Sequence, residues 1–322
     1  MEEILALGEP LVEFAAEQRG RLSSVTAFRR GWGGDTSNFV VAAARMGASV
    51  GYITRLGGDE FGRSFLNLWR KEGVDASQVI VDHDGFTGLY FIALEEAGEH
   101  DFTYYRSGAA ASRLQPQDMD PAYLGAARVF HTSGISQAIS DSTRATVDAA
   151  VDLAKSRGVL VSYDANVRPK LWPLATAQSV IKATISRTDV VFLSTEDAEY
   201  LYGGMRAEDV ANHVLAAGPR LVVLKQGAGG CLIGSTEGAP IQVPGWQVQV
   251  LDTTGAGDAF DAAFLVEWMR GTPLEKAGRF ANAVGALTST GLGAVHPIPT
   301  RARVEVFMTQ VETGTTKGGS TE

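Results

Sequence analysis

The chain has 322 residues, 45 % hydrophobic and 20 % charged, and its 28 Lys and Arg against 37 Asp and Glu give a net charge of −9. This is the composition of a globular protein with a large core, and the negative balance argues against nucleic acid as the main partner. The single cysteine excludes an intrachain disulfide, no run of about 18 uncharged apolar residues offers a membrane span, and the five scattered histidines make no zinc-binding pattern.

The start, Met1-Glu2-Glu3-Ile4, is acidic and leads straight into an apolar run, so no signal peptide is read there and the expected compartment is the cytoplasm. Ile4–Leu7, ending at Gly8, reads as a buried strand. Glu9 to Arg30 is mixed and reads as extended excursions rather than core. After Gly31-Trp32-Gly33-Gly34 a helix is expected from Asp35 to about Met46, stopped by Gly47. Ala48–Thr54 is a further strand, and Gly57-Gly58-Asp59-Glu60-Phe61-Gly62 opens the next helix. Phe86–Leu94 and Asp101–Arg106 are β-rich and form a hairpin around the turn Glu95-Glu96-Ala97-Gly98-Glu99. From about residue 120 the rhythm is βαβα: strands at Val129–Thr132, Val159–Tyr163, Val190–Leu193 and Leu221–Leu224, with a helix over Ser142–Arg157. Near-continuous apolar strands alternating with helices imply a doubly wound, mainly parallel α/β sheet. The Gly/Ser/Thr-rich stretch Thr313–Glu322 reads as a frayed tail.

In open parallel sheets ligands bind beyond the carboxyl ends of the strands. Those ends carry Asp164, Asn166 and Arg168, then Ser194, Thr195 and Asp197, then Lys225 with Gln226-Gly227-Ala228-Gly229-Gly230, then Asp252 with Thr253-Thr254-Gly255-Ala256-Gly257-Asp258. The glycine loop after Lys225 is either a hairpin turn or a backbone approach to a nucleotide. The last stretch precedes an apolar helix expected over Ala259–Arg270. Backbone amides of Gly255, Ala256 and Gly257 would then sit at a helix N-terminus, which suits a phosphate oxygen. Asp258 beside them is either a helix cap or the base that takes a proton from an attacking hydroxyl. Cys231, after an apolar strand, reads as packing rather than nucleophile. No GxxxxGK, complete GxGxxG, HRD/DFG set or GxSxG occurs.

Two stretches together resemble the ribokinase-like (PfkB) family of carbohydrate kinases: Gly33-Gly34 with Asn38, Ala42, Gly47, Gly57, Asp59, Phe61 and Gly62, and Asp252-Thr253-Thr254-Gly255-Ala256-Gly257-Asp258-Ala259-Phe260. The resemblance spans nearly the whole chain. It implies an α/β core (1–10, 31–85 and 108–312), a small β lid (11–30 and 86–107), ATP, Mg²⁺ and phosphorylation of a sugar hydroxyl with Asp258 as base.

Within that family, Gly8-Glu9-Pro10-Leu11-Val12, Phe86-Thr87-Gly88-Leu89-Tyr90, Tyr104-Tyr105-Arg106-x-Gly108 and Asp164-x-Asn166-x-Arg168-Pro169-x-Leu171-Trp172 are similar to the 2-keto-3-deoxygluconate kinases. This likeness implies that Gly34, Asp35, Thr36, Ser37, Asn38, Tyr90, Tyr104, Tyr105, Arg106 and Arg168 bind a sugar acid. It implies an ATP site along Asn166, Val167, Arg168, Ser194, Lys225 to Cys231, Gly255 to Asp258 and Asn282, with Asp252 and Thr254 at a monovalent cation, K⁺. Two arginines suit a carboxylate, since the planar guanidinium takes one bidentately; pairing of Arg168 with Asp164 or a neighbour is the alternative. The sequence departs from the subgroup at Leu292, where an Asp is expected, and at Ser194-Thr195-Glu196-Asp197, where Asp stands for Glu. A neutral-sugar kinase, with Glu13 as an acid for sugar hydroxyls, and a non-catalytic sugar- or nucleotide-binding module are the rival readings. Apolar residues on both faces of the hairpin imply a homo-oligomer through the lid.

Overall fold

The structure, a computed structural model, describes residues 2–94 and 100–313. The strands are β1 (Ile4–Leu7), β2 (Leu11–Arg19), β3 (Phe28–Gly33), β4 (Val50–Gly57), β5 (Val79–Asp82), β6 (Leu89–Leu94), β7 (His100–Tyr105), β8 (Val129–Ser133), β9 (Leu160–Asp164), β10 (Val190–Ser194), β11 (Leu221–Lys225), β12 (Cys231–Ser235) and β13 (Gly238–Val243). The expected hairpin turn at 95–99 and the tail beyond Thr313 lie outside the described residues.

Nine strands form one sheet in the order β13-β12-β11-β10-β9-β8-β1-β4-β5. It is parallel from β11 to β5, with β12 and β13 antiparallel at one edge. Helices Asp35–Arg45, Glu60–Glu72, Ala256–Met269 and Leu274–Thr288 pack on one face. Helices Asp141–Ser156, Leu174–Ile185 and Ala207–Ala216 pack on the other. Covering both faces explains why the parallel strands are apolar throughout rather than alternating. From β1 the chain proceeds first to β4 and β5 on one side and later to β8 on the other. The crevice at the ends of β1 and β8 is therefore a topological switch point.

The helix expected from Ala259 begins at Ala256, because Gly255 takes the N-cap position in the left-handed region at φ 77°. It is buried nearly all round, from Ala259 to Glu267, so it is a central core helix rather than a surface amphipathic one.

The second sheet has the order β3-β2-β6-β7. Its register sets Glu13 opposite Gly31 and Tyr90, and Tyr90 opposite Tyr104, so these residues form one cross-strand row. Strand β3 runs on to Gly33, past residue 30. The reading of Glu9–Arg30 as lying outside the core is corrected at its start. Glu9, Leu11, Val12 and Glu13 are buried, because β2 leaves the end of β1 and its first residues are sandwiched where the two sheets meet.

Candidate active site

The helix beginning at Ala256 and the helix beginning at Asp35 pack side by side, so their first turns face the same crevice. Asn38 Nδ2 donates to Asp258 Oδ2 at 2.8 Å across this junction. Asp258 sits two residues inside its helix and is not its cap; the capping alternative is thereby removed. Burial, followed by the nearby charge of Asp35, pushes the Asp258 carboxyl up to about 7, against the Asn38 hydrogen bond, which favours the ionised form.

The turn before Asp258 is held by its own side chains. Asp252 Oδ1 accepts from the Thr254 amide (2.9 Å) and hydroxyl (2.6 Å), and Oδ2 accepts from the Gly293 amide (2.8 Å). Asp252 and Thr254 thus bond each other and the 293 turn, and nothing in the arrangement supports K⁺. A Cβ on Gly255 would lie 2.7 Å from the Ala294 carbonyl oxygen. The Ala256 amide is committed to the turn, donating to the Thr253 carbonyl at 3.1 Å. The other first-turn amides, of Gly255, Gly257 and Asp258, have no acceptor within their helix and can receive an anion.

Beneath the turn, Lys225 Nζ at the end of β11 pairs with Asp164 (3.2 Å) from the end of β9 and with Asp261 (2.8 Å) from the central helix. Burial opposes the Lys225 charge, and the two carboxylates outweigh it and hold its ammonium above the ordinary value. Asp261 Oδ1 and Asp164 Oδ1 are buried without a hydrogen-bond partner. Asp35 lies at the switch point, bonded by Ser133 Oγ and by the Thr36 amide (2.8 Å), with Asn166 Nδ2 at 3.4 Å. Burial raises the Asp35 carboxyl as well. Asn166 is the one non-glycine residue among those described with left-handed backbone, φ 36°. Such a conformation is costly and concentrates at functional sites.

The second sheet, the expected lid, adjoins these groups. Arg106 forms an ion pair with the buried Glu9 and lies over the Tyr104 ring, its guanidinium carbon 5.5 Å from the centroid. Burial pushes the Glu9 carboxyl up to about 7, opposed by Arg106. Tyr90 donates its hydroxyl to Glu13 Oε2 at 2.6 Å. Arg168, exposed at the rim, donates to the Val167 carbonyl (2.9 Å) and has no carboxylate partner among the described residues. Asp164, the neighbour that could have paired with it, is engaged by Lys225.

The chain matches the pfkB family carbohydrate kinase profile over residues 1–301. It belongs to the PfkB family. A probable fructokinase-5 of Arabidopsis thaliana is 34 % identical over 315 residues, covering 95 % of this chain and 97 % of the relative. The 2-dehydro-3-deoxygluconokinase of Thermoproteus tenax is 34 % identical over 312 residues, covering 96 % of this chain and 94 % of the relative. A putative ribokinase II of E. coli in complex with ATP and Mg²⁺ superposes with a TM-score of 0.90 at 26 % identity, covering 96 % of this chain and all of that one. The fold is ribokinase-like and the protein is a sugar kinase.

Not every expected site residue of this PfkB kinase faces the crevice. Thr36 and Ser37 point into the core, where Thr36 Oγ1 meets the Tyr52 hydroxyl (2.8 Å) and Ser37 Oγ accepts from Trp69 Nε1 (3.3 Å). Gly34, φ 95°, packs where a Cβ would overlap the Glu9 carbonyl oxygen. Tyr105 turns to the opposite lid face and packs edge-on to Phe91. Gly227–Gly229 is a short 3₁₀ turn tied by the Gln226 amide to the Gly230 carbonyl (2.8 Å), with Ala228 at its centre. The Cys231 side chain is buried in the core, and burial pushes its thiol up to about 12, as expected of a packing residue. Asn282 donates to the Val243 and Pro244 carbonyls and so holds that loop. Ser194 caps the helix Thr195–Tyr202 in a reciprocal box with Asp197, whose other oxygen accepts from the Val167 amide (2.7 Å). The shortened acid is therefore spent on anchoring the Asn166–Arg168 loop.

Glu9 and Asp261, which pair with Arg106 and Lys225, are not among the site residues the sequence points to. Asp261 had a signal, since an acid inside an otherwise apolar helix must find a partner. Glu9 had none, because its partner lies 97 positions away.

Proposed function

We propose that this sugar kinase phosphorylates the terminal hydroxyl of 2-keto-3-deoxygluconate, giving the 6-phosphate, with ATP as donor. The guanidinium of Arg168, with no carboxylate partner among the described residues, carries the reading: an exposed cation of this kind suits a carboxylated sugar. Burial raises the Tyr104 phenol, and the charges of Arg106 and Arg168 oppose it, so both cations lie near that ring.

Asp258 accepts the proton of the attacking hydroxyl, held in place by Asn38. The Gly255, Gly257 and Asp258 amides take charge from the transferring group, and the lid excludes water. The loop 226–230 and the strand end at Ser194 would hold the nucleotide. Its fit rests on the Gly255, Gly257 and Asp258 amides, which have no acceptor within their helix, and on the absence of side chains at Gly255 and Gly257. Mg²⁺ carried by the nucleotide would neutralise phosphate charge; no cluster of three or more metal-ligating side chains exists among the described residues to hold an ion by itself.

A second reading, a fructose-type neutral sugar, is favoured by the Glu9 partner of Arg106, which cancels one of the two cations, and by Leu292 in place of the expected acid. A panel of 2-keto-3-deoxygluconate, fructose and ribose with MgATP tests the proposal: kcat/KM should be highest for the sugar acid, and a higher value for a neutral sugar would reverse it. We further propose self-association through the lid, where Phe86 and Tyr105 are exposed; a monomer by light scattering at micromolar concentration would count against it.

A further inference from the structure

Glu13 stands on the lid strand β2 yet bonds the far end of the chain. Its Oε2 accepts from the Tyr90 hydroxyl (2.6 Å) and from the backbone amide of Ala294 (3.2 Å). The space around the carboxylate is filled on both sides by backbone. A Cβ on Gly31 would lie 2.7 Å from Oε1, and one on Gly293 would overlap it. Gly293 in turn donates to Asp252, Asp252 holds Thr254, and Ala294 lies against Gly255. A continuous set of contacts therefore leads from Tyr90 in the lid, through Glu13 and residues 293–294, to the anion-binding turn. Glu13 thus ties the lid strands β2 and β6 to residues 293–294.

We infer that Glu13 is a positioning residue that clasps the lid to the 293–294 turn, so that a closed lid and an aligned Gly255–Asp258 turn occur together. This role differs from that of an acid binding sugar hydroxyls. Both hydrogen bonds already occupy one of its oxygens, and the other is enclosed by glycine backbone. The inference rests on the phosphoryl-transfer reading of residues 255–258 and is independent of which sugar is used.

A kinase whose lid is uncoupled from its anion site admits water. Water then attacks the γ-phosphorus in place of the sugar hydroxyl, the bond to the ADP oxygen breaks, and ADP, phosphate and a proton are released. The experiment compares ADP release without sugar against phosphoryl transfer to the best sugar of the panel, in wild type, Glu13→Ala, Glu13→Gln and Tyr90→Phe. Glu13→Ala should raise the ratio of idle to productive turnover by about tenfold or more, the size expected for losing a hydrogen bond to a charged group. Tyr90→Phe should move it in the same direction by less. Glu13→Gln should keep kcat and KM within about threefold of wild type, because an amide oxygen can accept both bonds. Should Glu13→Ala fail to fold, Tyr90→Phe decides: an unchanged ratio overturns the clasp. A Glu13→Gln enzyme with sugar KM raised about tenfold and an unchanged ratio would make Glu13 a sugar ligand instead. Wild-type enzyme transferring to no sugar would sink the kinase reading and the clasp with it, whereas normal wild-type transfer with unmoved ratios sinks the clasp alone.

Discussion

Asn38 and Asp258, 220 positions apart, share a hydrogen bond of 2.8 Å at the junction of two helix N-termini. The bond favours the ionised carboxylate, whereas burial and Asp35 favour the protonated one, and the balance leaves Asp258 near 7. A base must be ionised to act, so kcat/KM should rise as pH passes upward through this region. Asn38→Leu removes the one side chain among the described residues that donates to the carboxylate, and so raises its pKa. The acid limb of the kcat/KM profile should therefore shift to higher pH, and a limb that stays in place would remove Asp258 as the titrating group. Asp258→Asn should lower turnover by about 10²–10⁴-fold without unfolding the chain.

The six strands β1, β4 and β8–β11 of the main sheet, and β6 and β7 of the second, were legible because short apolar or β-branched runs report strands directly, whereas β5, β12 and β13, at the two ends of the main sheet, were not read. Helix ends were legible where a glycine closes them, as at Gly47 and Gly271. What stayed hidden were long-range pairings. The sequence shows Arg106 and Glu9 as two charges, and only the fold brings them together. Likewise Lys225 reads as a strand-end cation open to a nucleotide, while in the structure it is enclosed by Asp164 and Asp261. The direction of side chains on the helix from Asp35 was hidden too. Asp35 and Asn38 face the crevice, while Thr36 and Ser37, one and two residues after Asp35, are carried by helical rotation into the core.

Gly255 tests the anion-binding turn. Its φ of 77° and its contact with Ala294 leave no room for a side chain. Gly255→Ala should displace the first-turn amides and lower kcat by about 10²-fold, the cost of losing one well-placed donor, with sugar KM little changed. Steady-state kinetics with a thermal melt separate this from unfolding.

Lys225 tests whether the buried cluster is structural. With its partners almost fully enclosed, Lys225→Met leaves two uncompensated carboxylates and should cost about 3–5 kcal/mol in urea unfolding without nucleotide. Adding Asp261→Asn should recover part of that loss. If Lys225→Met keeps full stability and only raises the KM for ATP, the lysine is a phosphate ligand rather than a tie.

The two arginines at the lid opening should behave differently when removed. Arg168 is exposed and has no carboxylate partner among the described residues, so Arg168→Ala should leave stability nearly unchanged. It should raise KM for the sugar acid by roughly 10- to 100-fold, the worth of a charge-assisted hydrogen bond, and leave neutral sugars nearly unaffected. Arg106 is the counterion of a buried carboxylate, so Arg106→Ala should also destabilise the fold, by about 3–5 kcal/mol, because Glu9 is left alone in the interior. Adding Glu9→Gln to Arg106→Ala removes the stranded charge and should restore much of the stability without restoring acid binding. Unfolding curves for the single and double variants, set beside KM for an acid and a neutral sugar, separate the two roles. Equal losses of KM for both sugar types in Arg168→Ala would show that this arginine does not read the carboxylate.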